Sequence, residues 1–206
     1  MNFLATIVAA TAATAVTGMA TADLVNPLVP DWRGDANATY AYWDSFTSAD
    51  GGSNLPEQGG GFQLFNFGPG AIIASSGNLY GAGGPLDIHV YSLGDLAPTE
   101  AVLSFSFAGN PIDTSDVQAF FLGQYIDPIS SELRGSAGGG PFPAQTWSFT
   151  FDISNPGGAS SAIAFFFGSE LGQSSLDAIS VDVLSIPAPG ALALLGLAGL
   201  TSRRRR

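Results

Sequence analysis

Few residues in this chain can do chemistry. There is one histidine, His89, and there is no cysteine or lysine. His89 stands two residues from Asp87 in the run LDIHVYSL (residues 86–93). A nucleophilic triad built on it would need a serine brought from elsewhere in the fold, and an exposed strand histidine is the plainer reading. Gly168-Ser-Glu-Leu-Gly172 is not a nucleophile elbow, because the serine is not centred between the glycines. The glycine-rich loops lack the Lys-Ser/Thr ending of a phosphate cradle.

Carboxylates are plentiful. Asp113 with Asp116, Asp31 with Asp35, and the loop residues Glu132 and Glu170 are candidate pairs. A glycosidase needs two such groups about 5–10 Å apart across a sugar bond, but a solvated acidic surface yields pairs of this kind by chance. Calcium is a better use of them, since it takes hard oxygen ligands from loops. Asp50 and Asn54, in Asp50-Gly-Gly-Ser-Asn54, and Asp177, at the start of the last apolar run, are the candidate ligands. Residues 31–37 offer similar loop chemistry. Trp32, Tyr40, Tyr42, Trp43, Tyr80 and Tyr91 form a pool of aromatics that could stack on sugar rings, although packing claims most residues of this type. Arg33-Gly34-Asp35 matches an adhesion tripeptide and Asn37-Ala-Thr39 a glycosylation sequon, and both are too short to carry a function.

Charge narrows the partners. Four of the six basic residues are Arg203–Arg206, and all 17 acidic residues lie between Asp23 and Asp182. The body therefore carries 2 − 17 = −15 formal charges. Such a body repels phosphate backbones, which disfavours nucleic acid, and suits cations or an extracellular setting. The absence of cysteine excludes disulfides and thiolate metal sites without excluding export.

The elements that must position these residues read as strands. Residues 39–47, 62–67, 71–75, 86–93, 101–108, 117–126, 145–154, 162–169 and 178–186 are apolar or alternate with period two, as successive side chains leave opposite faces of a strand. In 101–108, Leu103, Phe105 and Phe107 oppose Ser104 and Ser106. In 145–154, Trp147, Phe149, Phe151 and Ile153 oppose Thr146, Ser148, Thr150 and Asp152. Residues 117–126 are apolar on both faces and predict a central strand. Gly-, Pro- and Asn-rich clusters separate the runs, residues 23–38 form an irregular lead-in, and no amphipathic helix is evident. The loops are too short for crossover helices. The expected fold is therefore all-β, an antiparallel two-sheet sandwich of jelly-roll type whose 15 Phe and 3 Trp fill the core. A single β-barrel is the alternative.

The termini read as addresses. Residues 1–22 have an apolar, Ala- and Thr-rich stretch ending in Ala20-Thr21-Ala22, which predicts a secretory signal peptide cleaved after Ala22, or after Ala20. Residues 186–206 combine Pro187-Ala188-Pro189, an eleven-residue apolar segment at 190–200 and the basic end Arg203, Arg204, Arg205, Arg206. A stable spanning helix takes about twenty residues, so this segment reads as a processing signal with a transient membrane anchor. The basic end would stay on the cytoplasmic side.

The arrangement SIPAPGALALLGLAGLTSRRRR resembles the PEP-CTERM sorting signal of Gram-negative bacteria, in a Pro-Ala-Pro form. Ala188 stands where the family's name-giving residue is Glu. The resemblance covers about a tenth of the chain. It implies processing by an exosortase, a membrane transpeptidase-like enzyme, and an association with exopolysaccharide or biofilm at the cell surface. In residues 175–182 (SLDAISVD), the last strand resembles the closing strand of galactose-binding-like and carbohydrate-binding-module sandwiches. There an Asp near the position of Asp177 helps hold a structural calcium.

Taken together, the sequence predicts an exported, non-enzymatic surface or matrix protein with one β-sandwich domain over 23–185 that binds carbohydrate. An extracellular glycoside-active enzyme on a jelly roll and a purely structural surface domain are the alternatives. An aromatic-lined cleft with facing carboxylates would favour the enzyme.

Overall fold

The computed structural model describes residues 23–110, 112–138 and 142–186. The signal-peptide residues Ala20 and Ala22, the motif Pro187, Ala188 and Pro189, the apolar segment and Arg203–Arg206 lie outside the described residues. Among those described there is no helix, and so none long and apolar enough to cross a membrane.

Among the described residues thirteen strands form two antiparallel sheets. They are β1 (Ala38–Trp43), β2 (Gln58–Gly59), β3 (Phe62–Asn66), β4 (Ile72–Ile73), β5 (Leu79–Tyr80), β6 (Asp87–Ser92), β7 (Pro98–Gly109), β8 (Gln118–Phe121), β9 (Gln124–Ile126), β10 (Ser130–Ala137), β11 (Ala144–Asp152), β12 (Ile163–Gly168) and β13 (Ser174–Ser185). The first sheet runs β10-β11-β7-β13-β1-β2, with β5 paired to β13 and β4 to β5; the second runs β3-β6-β12-β8-β9. The chain changes sheet between β2 and β3, β3 and β4, β5 and β6, β6 and β7, β7 and β8, β9 and β10, β11 and β12, and β12 and β13. Its last strand lies beside its first. Inner strands β11-β7-β13-β1 facing β6-β12-β8-β9 are the jelly-roll order, so the expected sandwich architecture holds.

Alternation builds the core between the sheets. Phe105, Phe149, Phe151 and Val181 from the first sheet meet Phe62, Leu64, Val90, Phe165 and Phe167 from the second, all buried. Phe105 stacks on Phe167 with ring centroids 4.4 Å apart. Each such side chain contributes about 1.5–3 kcal/mol on burial, which holds the fold without disulfides.

The second face of the first sheet differs from a solvated polar face. Ser104, Ser106, Thr146, Ser148 and Asp182 are buried. The lead-in segment covers part of this face, and the backbone N–H groups of Val25 and Leu28 donate to Thr146 Oγ1 (2.8 Å) and Ser148 Oγ (3.0 Å). Arg33 reaches down from the same segment to Asp182 with two hydrogen bonds of 2.6 Å.

Three strand expectations change. Residues 117–126 are a hairpin at the edge of the second sheet, not one central strand. Leu122 and Gly123 both have positive φ (50° and 80°), the geometry of a tight two-residue turn between Phe121 and Gln124. The run 71–75 shrinks to the two residues of β4. Strand β10 went unread because SSELRGSA is a largely exposed edge strand with no apolar alternation to betray it.

Candidate functional site

The outer face of the second sheet is where aromatic and titratable side chains gather. Odd-numbered residues of β3 and β6 point outward, because Phe62, Leu64, Ile88 and Val90 point into the core. Register then fixes the neighbours. One cross-strand row is Phe65, His89, Phe166 and Gln118, and the next is Gln63, Tyr91, Ala164, Phe120 and Tyr125. Directly opposed residues on one face of a sheet touch, as His89 with Phe166 and Phe120 with Tyr125 do here. His89 lies 4.7 Å from Phe166 and 4.8 Å from Phe67 between ring centroids, both edge-on. Tyr125 lies 5.0 Å from Phe120 and 5.9 Å from Phe166. The strip ends in open rings, with Tyr125 65% and Phe67 47% exposed.

Beside the strip is a cleft of about 490 Å³. Phe166 and Tyr125 form its aromatic wall. Asp87 comes from the start of β6, Asp113 and Asp116 from the connection between β7 and β8, and Glu170 from the connection between β12 and β13. Gly168 opens the floor. It faces Asp87 across the ladder, and a Cβ there would meet the Leu86 carbonyl oxygen at 2.4 Å.

Hydrogen bonding sets the chemistry of the histidine. Nε2 of His89 lies 2.9 Å from Asp87 Oδ1, and Nδ1 lies 2.8 Å from the Tyr91 hydroxyl. A neutral imidazole satisfies both by donating from Nε2 to Asp87 and accepting the Tyr91 proton at Nδ1. Burial, then the charge of Asp87 and the nearby Tyr125, push the Tyr91 hydroxyl above its usual range, so it keeps its proton as a donor. Both nitrogens are thus engaged without a serine, and among the described residues no Ser-His-Asp constellation forms around His89. The Ser115 hydroxyl and N–H donate to Asp113 Oδ1 and hold that carboxyl below its usual range.

The structure brings Asp87, His89, Tyr91, Asp113, Asp116 and Glu170 to one face. It sends the other candidates elsewhere. Trp43 is fully buried, with its indole N–H donating to the Asn54 carbonyl at 3.0 Å. Trp32 donates to Glu100 on β7 at 3.1 Å, Tyr40 lies under the Arg33 guanidinium (4.2 Å), and Tyr42 donates to Asp44 at 3.2 Å. Asp31 and Asp35 sit in the lead-in beside Trp32 and Arg33. Tyr80 pairs with Ser175 across β5 and β13. Glu132 pairs with Arg134 on β10 at 2.6 Å.

The candidate calcium ligands have protein partners. Asn54 is buried, and its Oδ1 accepts from the N–H groups of Thr47 (2.7 Å) and Ser48 (2.8 Å). Asp177 Oδ1 accepts from the Asn78 amide and from the Ser175 hydroxyl (3.1 Å). Asp50 is exposed. Among the described residues no three His, Asp or Glu side chains are placed to hold a metal ion.

Sequence reasoning missed Phe65, Phe67, Phe120, Phe166 and Tyr125. For Phe120, Tyr125 and Phe166 the signal was present: they belong to runs apolar on both faces, and such runs in a sheet covered on one side leave rings outside.

No protein-family model matches the chain, and no curated protein matches it. Among solved structures it is similar to TmCBM27, a carbohydrate-binding module studied for specific mannan recognition. Identity is 13% over 72% of this chain and 90% of that one, with a TM-score of 0.30. A likeness this distant carries no ligand across.

Proposed function

We propose that this is an exported, non-enzymatic protein of the bacterial surface or extracellular matrix, whose sandwich binds polysaccharide on the outer face of its second sheet. The observation that carries the binding reading is the strip of rings from Phe67 to Tyr125 beside an open cleft. Pyranose rings present apolar C–H faces that pack on aromatic rings, while Gln118 and the carboxylates offer groups for sugar hydroxyls. Removing the Tyr125 ring takes away about 50 Å² of apolar contact, worth about 1.3 kcal/mol or roughly tenfold in affinity. The test is retention of the purified protein on a panel of immobilised polysaccharides. Tyr125→Ala, correctly folded, is expected to elute about tenfold more readily; no retention of the unaltered protein on any glycan would refute the reading.

Export and sorting rest on the terminal segments. Mass spectrometry of the protein from its native host is expected to find a start after Ala22 or Ala20 and an end near Pro189. An intact Arg206 on the extracellular protein would count against exosortase processing.

A second reading, a glycoside-active enzyme, is favoured by one observation: Asp87, Asp113, Asp116 and Glu170 line one cleft with two aromatic rings. That chemistry needs one carboxyl held protonated and one ionised. Asp113, held low by Ser115, fits only the ionised role. Release of reducing ends from a polysaccharide that the protein retains would establish this reading over the first.

A further inference from the structure

We infer that the cleft beside the aromatic strip selects a glycan bearing protonated amines, a partly de-N-acetylated hexosamine polymer, over neutral and acidic polysaccharides. This rests on the reading that the aromatic face binds sugar, and it adds which sugar.

The argument is one of charge placed by fold. Three separate segments deliver Asp87, Asp113, Asp116 and Glu170 to the cleft that holds Phe166 and Tyr125. Among the described residues no basic side chain lines it other than His89, whose Nε2 already faces Asp87. The body's two arginines are committed elsewhere, Arg33 to Asp182 and Arg134 to Glu132. The ion pairs among the described residues leave Asp113, Asp116 and Glu170 without a cation. The Ser115 donors keep Asp113 ionised. A sugar stacked on Phe166 or Tyr125 therefore has its substituents beside several negative charges. A uronate there would face like charge in a concave, partly water-excluding space, which focuses the repulsion. A hydroxyl or acetamido group would gain hydrogen bonds only. An ammonium group gains both hydrogen bonds and ion pairing, and each exposed ion pair of this kind adds up to several-fold in affinity.

The test uses the purified full-length protein and three oligosaccharides of equal length: fully de-N-acetylated glucosamine, its N-acetylated form, and a polyuronate. Calorimetry at low salt is expected to give about tenfold tighter binding for the amine form than for the N-acetylated form, and none for the polyuronate. The advantage should vanish near 1 M salt, where charges are screened within about 3 Å. The double variant Asp116→Asn/Glu170→Gln should lose about tenfold for the amine form and nothing for the N-acetylated form. Asp95→Asn/Asp152→Asn, exposed acids outside the cleft, should leave both unchanged.

Equal binding of the amine and N-acetylated forms would overturn the inference while leaving the aromatic-face reading standing. An equal loss in the Asp95/Asp152 variant would also overturn it, by assigning the preference to net charge. Binding of no glycan would sink both.

Discussion

Replacing Asp177 by Asn should make this protein more stable at neutral pH, by an amount that depends on pH. Asp177 sits where the register between β13 and β7 slips, between Leu176 and Ala178, so it is the extra residue of a β-bulge. It is only 3% exposed. Burial pushes its carboxyl up to about 6 from the ordinary 3.8. The Ser175 and Asn78 hydrogen bonds work against that rise, and the charge of Asp44 adds to it. A carboxyl raised in the folded state binds its proton more tightly there than in the unfolded chain. Its contribution to stability is thus fully present below about pH 4 and is lost as pH rises through 6. A rise of about two pH units corresponds to about 3 kcal/mol. Asn keeps an oxygen to accept from Asn78 and Ser175 and cannot ionise. Its new N–H₂ group can add an unfavourable offset, but one that does not change with pH. Urea unfolding of both proteins from pH 4 to pH 8 is the assay. The difference in unfolding free energy, variant minus wild type, should rise by about 2.4 kcal/mol between pH 4 and 7, because the unfolded carboxyl is already partly ionised at pH 4; this is equivalent to about 5–10 °C in Tm for a domain of this size. A difference that stays flat across this range would refute the reasoning.

Two other perturbations follow from the same structure. Arg33→Ala should cost about 3–5 kcal/mol in chemical unfolding, because it leaves the Asp182 carboxylate buried without the cation that pairs with it, and Asp182→Asn in the same protein should recover part of that loss. Leu122→Asn should raise the unfolding free energy by about 1 kcal/mol, because it places Asn-Gly in a turn whose first residue already has φ of 50°; no gain would mean that the Leu122 side chain holds the hairpin by contact.

The strands were largely legible and their faces partly so. Period-two runs marked β6, β7, β11 and β13 correctly, because each buries one face against the other sheet. Residues 62–67 (FQLFNF) were not legible in the same way. Hydrophobicity would put Phe65 and Phe67 inside and Asn66 outside, yet Asn66 is buried and the two rings are outside. Asn66 is tolerated there because its amide donates to the carbonyls of Ala49 and Gly68 while its oxygen accepts from the N–H groups of Gly68 and Asp87. Only a closed hydrogen-bond network can license that exchange, and a network spanning three segments is invisible in a one-dimensional pattern. The adhesion-like tripeptide taught the reverse: Arg33, the most conspicuous cation of the body, is an internal counter-ion.

By itself the sequence determined the strand-rich class and the acidic body, because alternation and charge are local and additive. It also supplied the two terminal segments that predict export. It offered Asp113, Asp116 and Glu170 as separate residues and Asp87 as a strand neighbour of His89, and spread its aromatics over a pool from which only Tyr91 reached the site. The tertiary structure alone decided that Asp87, Asp113, Asp116 and Glu170 share one cleft and that Phe67, Phe166 and Tyr125 line up outside the core. The reason is register: convergence across β3-β6-β12-β8-β9 depends on which residues pair between strands far apart in the chain, and a slip of one residue would turn every ring inward.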